Sequence, residues 1–159
     1  MKKEYKRAVK QISWILFVLY LIAMAYFLFF SEYLNRSNTG SGYRYNLTLF
    51  QEVKRSLWCY HAGMYQYFII NFAMNIVAFI PFGFFLPFLS KSKNRRNFLY
   101  IIGSALEFTF IIESMQLILK VGTFDVDDIF LNTLGGITGF IMFEISNVVW
   151  MVIRKVKGK

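Results

Sequence analysis

Four acidic side chains in the second half of the chain are the residues best suited to do chemistry. Asp125, Asp127 and Asp128 fall within four positions of the segment FDVDDIFLNTLGGITGF, and Glu113 lies twelve positions before the first of them. Glu113, Asp125 and Asp128 could bind Mg²⁺ or Ca²⁺ and activate water against a lipid-linked phosphate, because these cations prefer carboxylate oxygens. The same charges could instead complement a helix dipole or bind the cationic part of a ligand. We favour structural or recognition use over metal catalysis.

The composition indicates that these carboxylates belong to a membrane protein. Of the 159 residues, 57% are hydrophobic, 20% are aromatic and 17% are charged, which is too apolar for an ordinary soluble domain. Apolar runs of about 20 residues can cross a hydrocarbon core of about 30 Å. We therefore predict an all-α membrane protein, a single domain over residues 1–159, with four transmembrane helices. The predicted spans are 12–30, 68–89, 98–119 and 129–151.

The first span could also belong to a cleaved signal peptide. The segment ISWILFVLYLIAMAYFLFF carries no charge and follows the basic segment MKKEYKRAVK. Its apolar run is longer than that of a typical signal peptide, and more apolar residues follow the small residues at 23–25. An uncleaved anchor is therefore the prediction.

The positions of lysine and arginine predict how the spans are oriented. Thirteen of the 18 basic residues fall in the N-terminal tail, in the connection between spans two and three, and in the C-terminal tail. Short loops rich in these residues stay in the cytoplasm, so both termini should be cytoplasmic. The net charge of +9 is then an orientation signal with some attraction to anionic lipid, and it requires no nucleic-acid partner.

The external connection between spans one and two contains a predicted helix. After the polar stretch SEYLNRSNTGSGYR, Thr48 and Gln51 have capping-box spacing, and apolar residues then recur every three or four positions. The apolar positions are Phe50, Val53, Leu57, Tyr60 and Met64. Because Trp58 and several tyrosines favour the membrane boundary, this helix could lie flat on the outer leaflet or dip into it as a re-entrant segment. An ordinary helix packed over the bundle is the alternative.

Other titratable residues support fewer kinds of chemistry. Cys59 and His61 each occur once, which excludes an intrachain disulfide and a cysteine-rich zinc site, and no spacing supports a serine–histidine–aspartate arrangement. Glu107 and Glu144 lie deeper in the predicted spans and would serve a proton or ion transporter. Pairing with a neighbouring polar group is the alternative role for each of them.

Polar residues on three predicted spans lie at similar depth. They occupy the outer third of span three, the external entrance of span two and the start of span four. Such side chains are costly to expose to lipid and normally face the bundle interior or a wet cavity. We therefore predict an outward-facing polar pocket formed by Asn71, Asn75, Glu113, Gln116, Asp128 and Asn132. Below Asn132, the small residues Gly135, Gly136 and Gly139 predict a surface for close helix packing.

Three segments, taken in order, resemble the motifs of VanZ-like membrane proteins. NFAMNIVAFIPFGFFLP is similar to the family pattern Asn-x-x-Gly-Asn-x-x-x-Phe-x-Pro-x-Gly. IESMQLILKVGTFDVDDIFLNTLGGITGF is similar to Glu-x-x-Gln followed by Gly-Arg-x-Phe-Asp-x-Asp-Asp and Asn-Thr-x-Gly, and RYNLTLF resembles the Arg-x-x-Asn-Leu-x-Pro-Phe start. The resemblance covers residues 44–143. The predicted binding pocket also includes Arg44, Asn46, Asp125 and Asp127.

Three positions depart from the family patterns. Thr123 stands where the family usually has arginine, Leu49 where it has proline, and Met74 where it has glycine. An arginine at position 123 would be the natural partner of the acidic cluster. Without this arginine, the negative charge of the cluster would be balanced by Arg44, by Lys120, by a cation or by protonation.

The resemblance implies a multi-pass protein of the bacterial cell membrane. Founding members of the family are linked to low-level resistance to the glycopeptide teicoplanin. With membrane lipids as partners, the expected role is non-catalytic recognition of an envelope lipid, a lipoglycopeptide or a lipid-linked cell-wall precursor. No cofactor is expected in that role. A divalent cation would belong to the alternative of a metal-dependent enzyme acting on a lipid-linked phosphate, and a small ion or proton transporter is the third option. The sequence does not specify the oligomeric state.

Cysteine labelling in intact cells tests the predicted orientation. In a Cys59→Ser background, a cysteine in Ser41→Cys should react with a membrane-impermeant maleimide, because the connection that holds it is predicted to be external. A cysteine in Ser92→Cys should react only after lysis. Strong labelling of Ser92→Cys in intact cells together with no labelling of Ser41→Cys would reverse the topology.

Overall fold

A computed structural model describes residues 3–30, 42–90 and 97–157. Six α-helices and two short strands make up this part of the chain. The helices are α1 (Lys3–Ala25), α2 (Gln51–His61), α3 (Tyr65–Phe68), α4 (Met74–Leu89), α5 (Phe98–Ile118) and α6 (Val126–Lys157). The strands are β1 (Tyr45–Asn46) and β2 (Phe124–Asp125). A π-helical turn extends α1 over Tyr26–Phe30, and another joins α3 to α4 over Ile69–Ala73.

Four helical segments are long and apolar enough to cross a membrane, which confirms the predicted number of spans. They are Arg7–Phe30, Tyr65–Leu89, Phe98–Ile118 and Val126–Val156. The second and fourth begin three residues earlier than predicted. In the fourth, Asp127 and Asp128 belong to the first helical turn, where acidic side chains complement the helix dipole. The basic connection at 91–96, most of the predicted flexible loop and both chain ends lie outside the described residues.

The bundle is organised around α4 and α6. These two helices form the most extensive packing contact, α5 packs against α6, and α1 packs against α4. Aromatic side chains fill the interior: the rings of Phe82 and Phe108 stack with centroids 4.6 Å apart, and Phe17 and Phe79 pack against the same group. Many apolar side chains on the outside of the helices remain exposed, as expected for a surface that faces lipid.

Glycines allow the backbones of α4 and α6 to come together. A Cβ atom on Gly83 would overlap the backbone carbonyl of Gly136, and one on Gly139 would overlap the carbonyl of Ile80. Gly135 is equally close to the Ile76 carbonyl. Small residues permit this approach within a membrane, where van der Waals contact drives helix association. Gly135, Gly136 and Gly139 therefore lie at the tightest part of the bundle.

The prolines of the second span do not end its helix. Pro81 and Pro87 both lie inside α4, which runs on to Leu89. Proline removes a backbone donor, and neighbouring helices in a membrane protein can supply compensating contacts. α1 also contacts α4 through a polar side chain, since the Tyr20 hydroxyl donates to the Ala78 carbonyl at 2.8 Å.

One end of the bundle gathers the predicted site residues. Hydrogen bonds there join the end of α1 to the end of α5, the segment before α6 to α5, and the start of α2 to both α6 and α3. The segment before α2 and the segment before α6 pair there as a two-stranded sheet. We call this end of the bundle the site end.

Alanine substitutions at two glycines test the packing of α4 on α6. Gly83→Ala should lower the free energy of unfolding by about 1–3 kcal/mol, because its Cβ meets backbone that cannot move aside cheaply. Gly103→Ala in α5 is the control. A Cβ there meets no atom within 4 Å, so the variant should gain about 0.5–1 kcal/mol from helix propensity. Thermal unfolding in one detergent measures both, and equal stability of the two variants would contradict the packing.

Candidate functional site

A two-stranded parallel sheet joins the segment before α2 to the connection between α5 and α6. Asn46 is aligned with Asp125 in this sheet, and the Phe124 amide donates to the Arg44 carbonyl at 3.0 Å. The Asn46 side-chain amide donates to the Asp125 carboxylate at 3.0 Å. The Lys120 ammonium lies 4.9 Å from the centre of the Tyr43 ring, which adds a cation–π contact. The sheet therefore fixes the polypeptide that leads into α2.

Asp127 caps the N-terminus of α2 from another helix. Its carboxylate accepts hydrogen bonds from the backbone amides of Phe50 at 2.5 Å, Glu52 at 2.7 Å and Val53 at 3.2 Å. The side chain of Asp127 is completely buried. Amides at the start of a helix lack partners within the helix, and the helix dipole makes this end positive. A carboxylate is therefore the group best suited to satisfy them.

The predicted capping box at Thr48 and Gln51 is wrong. The residue before α2 is Phe50, and no local side chain caps the helix. The Thr48 amide instead donates to Asn46 Oδ1 at 3.1 Å. Phe50 has a φ of 65°, a left-handed conformation that costs a residue with a side chain about 1–2 kcal/mol. Its ring packs edge-on against Phe130 of α6 at 5.4 Å, so contacts with α6 hold both the ring and the amide of Phe50.

A chain of hydrogen bonds continues from Asp127 to α5. Asp125 accepts a hydrogen bond from the Asp127 amide at 2.8 Å, and Glu113 accepts one from the Asp125 amide at 3.2 Å. We call Glu113, Asp125 and Asp127 the acidic network. Burial raises the pKa of the Asp125 carboxyl above its ordinary value, while the hydrogen bonds from Asn46 and the Asp127 amide oppose that rise. The acidic network links α5, β2, α6 and the start of α2.

The remaining predicted polar residues tie helices together in pairs. Asn75 of α4 donates to the Asp128 carboxylate of α6, and also to the Asn71 carbonyl at 3.1 Å. The Asn132 side-chain amide donates to Thr109 Oγ1 at 2.8 Å, and Gln116 donates to the Leu28 carbonyl at 3.2 Å. The Asn132–Thr109 bond is buried and the others are partly buried, and three of these bonds join side chains to a neighbouring element.

In the described parts of the chain, the hydrogen bonds to Asp125 and Asp127 do not come from the Arg44 side chain or from Thr123. Arg44 joins the sheet through its carbonyl, and its side chain is exposed. Thr123 is half-buried. The donors that reach Asp125 and Asp127 are backbone amides and the Asn46 side chain.

Two buried polar residues were not predicted from the sequence. Thr109 is fully buried and bonds to Asn132, and it lies four positions before Glu113 and seven before Gln116. That spacing places the three side chains on one helix face and could have revealed Thr109. Ser56 on α2 is also fully buried, and its hydroxyl is the one such side-chain atom without a hydrogen-bond partner in the described parts of the chain.

The metal and transport alternatives gain no support from the arrangement of acidic residues. Over residues 3–30, 42–90 and 97–157, no group of three or more His, Cys, Asp or Glu side chains could hold a metal ion. Asp127 faces the α2 amides, whereas Asp128 faces Asn75. Glu107 is exposed on α5, and Glu144 is half-buried beside an apolar groove lined by residues of α5 and α6.

The residues that α2 buries are not those of its predicted apolar stripe. Ser56 and Cys59 are buried against the rest of the protein, whereas Leu57, Trp58 and Tyr60 are exposed. A mixed groove lies where α2 passes into α3. It is lined by Gly63, Met64, Tyr65, Gln66, Tyr67, Ile70 and Asn71, and Asn71 is the predicted pocket residue among them.

Replacing the capping carboxylate should loosen the first turn of α2. In Asp127→Asn, one amide oxygen replaces two carboxylate oxygens and the added NH₂ group faces backbone donors, which should cost about 1–3 kcal/mol. Hydrogen exchange followed by mass spectrometry should then show faster exchange at Phe50, Glu52 and Val53. Asp128→Asn is the control, because its partner Asn75 lies on α4. Unchanged protection of these three amides in Asp127→Asn would disprove the capping role.

Comparison with known families identifies the chain. The family model described as VanZ/LLP1 matches residues 17–147, which confirms the resemblance inferred from the motifs. No curated protein and no solved structure matches the chain. The match begins within α1 and includes the whole acidic network and α2. The chain is therefore a multi-pass membrane protein that belongs to the VanZ/LLP1 family.

Proposed function

We propose that this protein recognises a lipid-tailed envelope ligand at the outer face of the bacterial cell membrane and so contributes to resistance to teicoplanin-type glycopeptides. The role requires no catalysis by the chain. Membership of the VanZ/LLP1 family supports the link to glycopeptides. The basic residues of the tails and of the connection between α4 and α5 support the outward orientation of the site end.

The observation that carries this proposal is the attachment of α2 across the site end of the bundle. Asp127 holds its first turn, and the Glu52 carboxylate accepts a hydrogen bond from the Tyr67 hydroxyl of α3 at 3.0 Å. Trp58 on the outer face of α2 is 65% exposed, and Leu57 and Tyr60 are exposed beside it. Tryptophan and tyrosine favour the boundary between lipid and water. A rigidly held aromatic surface at that boundary suits contact with an acyl tail.

The hydrogen bonding of the acidic network supports recognition rather than chemistry. Both Asp127 oxygens accept backbone hydrogen bonds, and both Asp125 oxygens accept hydrogen bonds from amides. A carboxylate that served as a general base would need an oxygen directed towards a substrate. These two aspartates are instead occupied in holding the structure together.

Expression in a susceptible Gram-positive host tests the antibiotic role. The wild-type chain should raise tolerance to teicoplanin, which has an acyl tail, more than tolerance to vancomycin, which lacks one. Trp58→Ala should reduce the difference because it removes the largest exposed ring of α2. Asp127→Asn should reduce it by releasing α2. The measurement is the minimal inhibitory concentration of each drug.

Trp150→Ala is the matched control for Trp58→Ala. Trp150 is also an exposed tryptophan, but it lies near the far end of α6 beside Arg154. Its loss should leave the difference between the drugs intact. Membrane abundance of every variant is measured by immunoblot, so that poor expression is recognised. Equal responses to both drugs, or no response despite good expression, would contradict the proposal.

A further inference from the structure

The groove at the junction of α2 and α3 is formed by a turn that the sequence encodes. α2 ends at His61, and Gly63 adopts a φ of 78°, which favours glycine. The Met64 amide donates to the Cys59 carbonyl at 2.8 Å, and the Gly63 amide donates to the Tyr60 carbonyl at 3.1 Å. This pair of bonds is the Schellman arrangement that ends many helices. Residues of this turn and of the helix that follows it line a groove of about 600 Å³.

The lining of this groove is uncharged but able to form hydrogen bonds. Tyr65 and Tyr67 contribute aromatic rings, while Gln66 and Asn71 contribute amides. No Lys, Arg, Asp or Glu side chain lines it among the described residues. Phosphate sites usually contain arginine or lysine, so this lining suits neutral hydroxyl and amide groups better than a phosphate. A saccharide combines such hydroxyls with apolar ring faces that can pack on tyrosine.

Two charged side chains that contact Tyr67 of the groove are paired with each other. Arg55 and Glu52 form an ion pair at 2.8 Å, and the Tyr67 hydroxyl donates to the second oxygen of Glu52. This pairing offsets the positive charge of Arg55 next to Tyr67. The groove therefore remains a neutral environment even at its edge.

Exposed apolar side chains of the second span continue from the lining of the groove. That span begins at Tyr65, so the groove lies at the boundary of the apolar segment. Ile70 lines the groove, and Met74 and Val77 follow it at helical spacing with exposed side chains. An acyl chain could extend along this strip while its headgroup occupies the groove.

Asn71, which lines the groove, belongs to a π-helical turn. The turn covers Ile69–Ala73, and single turns of this kind occur frequently at functional sites. Asn71 Nδ2 donates to the Tyr67 carbonyl at 3.0 Å, which fixes the orientation of the side chain. Its Oδ1 atom is the acceptor that a ligand hydroxyl could use.

We infer that this groove binds the saccharide headgroup of a membrane glycolipid, with an acyl chain of that lipid lying along Ile70, Met74 and Val77. The inference rests on the proposed function, because it names the class of envelope lipid that is recognised and the groove that binds it. The two ideas can still fail separately, because lipid binding is measured on the purified chain and resistance is measured in cells.

Native mass spectrometry of the full chain in an amine-oxide detergent tests the inference. The protein is mixed with equal amounts of diglucosyl diacylglycerol and phosphatidylglycerol that carry identical acyl chains. Wild type should retain the glucosyl lipid roughly fivefold more than the phospholipid. This ratio corresponds to the net free energy of about one hydrogen bond. Tyr65→Leu and Asn71→Leu should each reduce the ratio to about one. Tyr65 is exposed, so its replacement should leave the fold intact.

Tyr26→Leu is the matched control. Tyr26 is 58% exposed and Tyr65 is 57% exposed, and both lie at the site end of the bundle. The control should keep the preference of wild type. Equal retention of the two lipids by wild type, preference for the phospholipid, or equal loss in Tyr26→Leu and Tyr65→Leu would overturn the inference. If wild type shows no glycolipid preference yet raises teicoplanin tolerance, this inference is wrong and the proposed function stands.

Discussion

The rest of the site end depends on one interaction, the contact between the Asp127 carboxylate and the first backbone amides of α2. Three amides point at a single buried side chain, so the position and direction of α2 are set by a residue of α6. Asp127 in turn is held by Asp125, whose own amide is bound by Glu113. The aromatic surface of α2 and the groove that follows it are consequences of this attachment.

A bundle with little access to water explains why the polar residues are arranged in this way. A buried donor or acceptor without a partner would cost several kcal/mol in hydrocarbon, so most of these polar side chains are bonded within the protein. Asn132 and Thr109 satisfy each other between α5 and α6, while Gln116 satisfies a carbonyl at the end of α1. Amide donors meet Asp125 and Asp127 although position 123 holds a threonine. The acidic cluster is thereby accommodated without an arginine at that position.

The sequence predicted the elements better than the contacts between them. Predominantly apolar runs that cross a bilayer have a length set by its thickness, so the four spans could be predicted from the hydropathy of the sequence. The partner of Asp127 could not be found in this way, because Phe50 lies 77 positions away and Thr48 and Gln51 offered a local capping pattern that the structure does not use. The turn that ends α2 was also not predicted, although Gly63 is the type of residue that this turn requires. Local patterns specify helices, whereas a cap supplied by a distant residue depends on the assembled fold.

The depth of Trp58 in a bilayer tests most directly whether Asp127 holds α2 at the membrane boundary. The chain has three tryptophans, so Trp14→Phe and Trp150→Phe leave Trp58 as the reporter. In vesicles, its fluorescence should be quenched more by lipids labelled near the headgroup than by lipids labelled deep in the acyl chain, and adding Asp127→Asn should weaken that quenching. Strong quenching of Trp58 by aqueous iodide, with no response to the shallow lipid label and no effect of Asp127→Asn, would contradict the account.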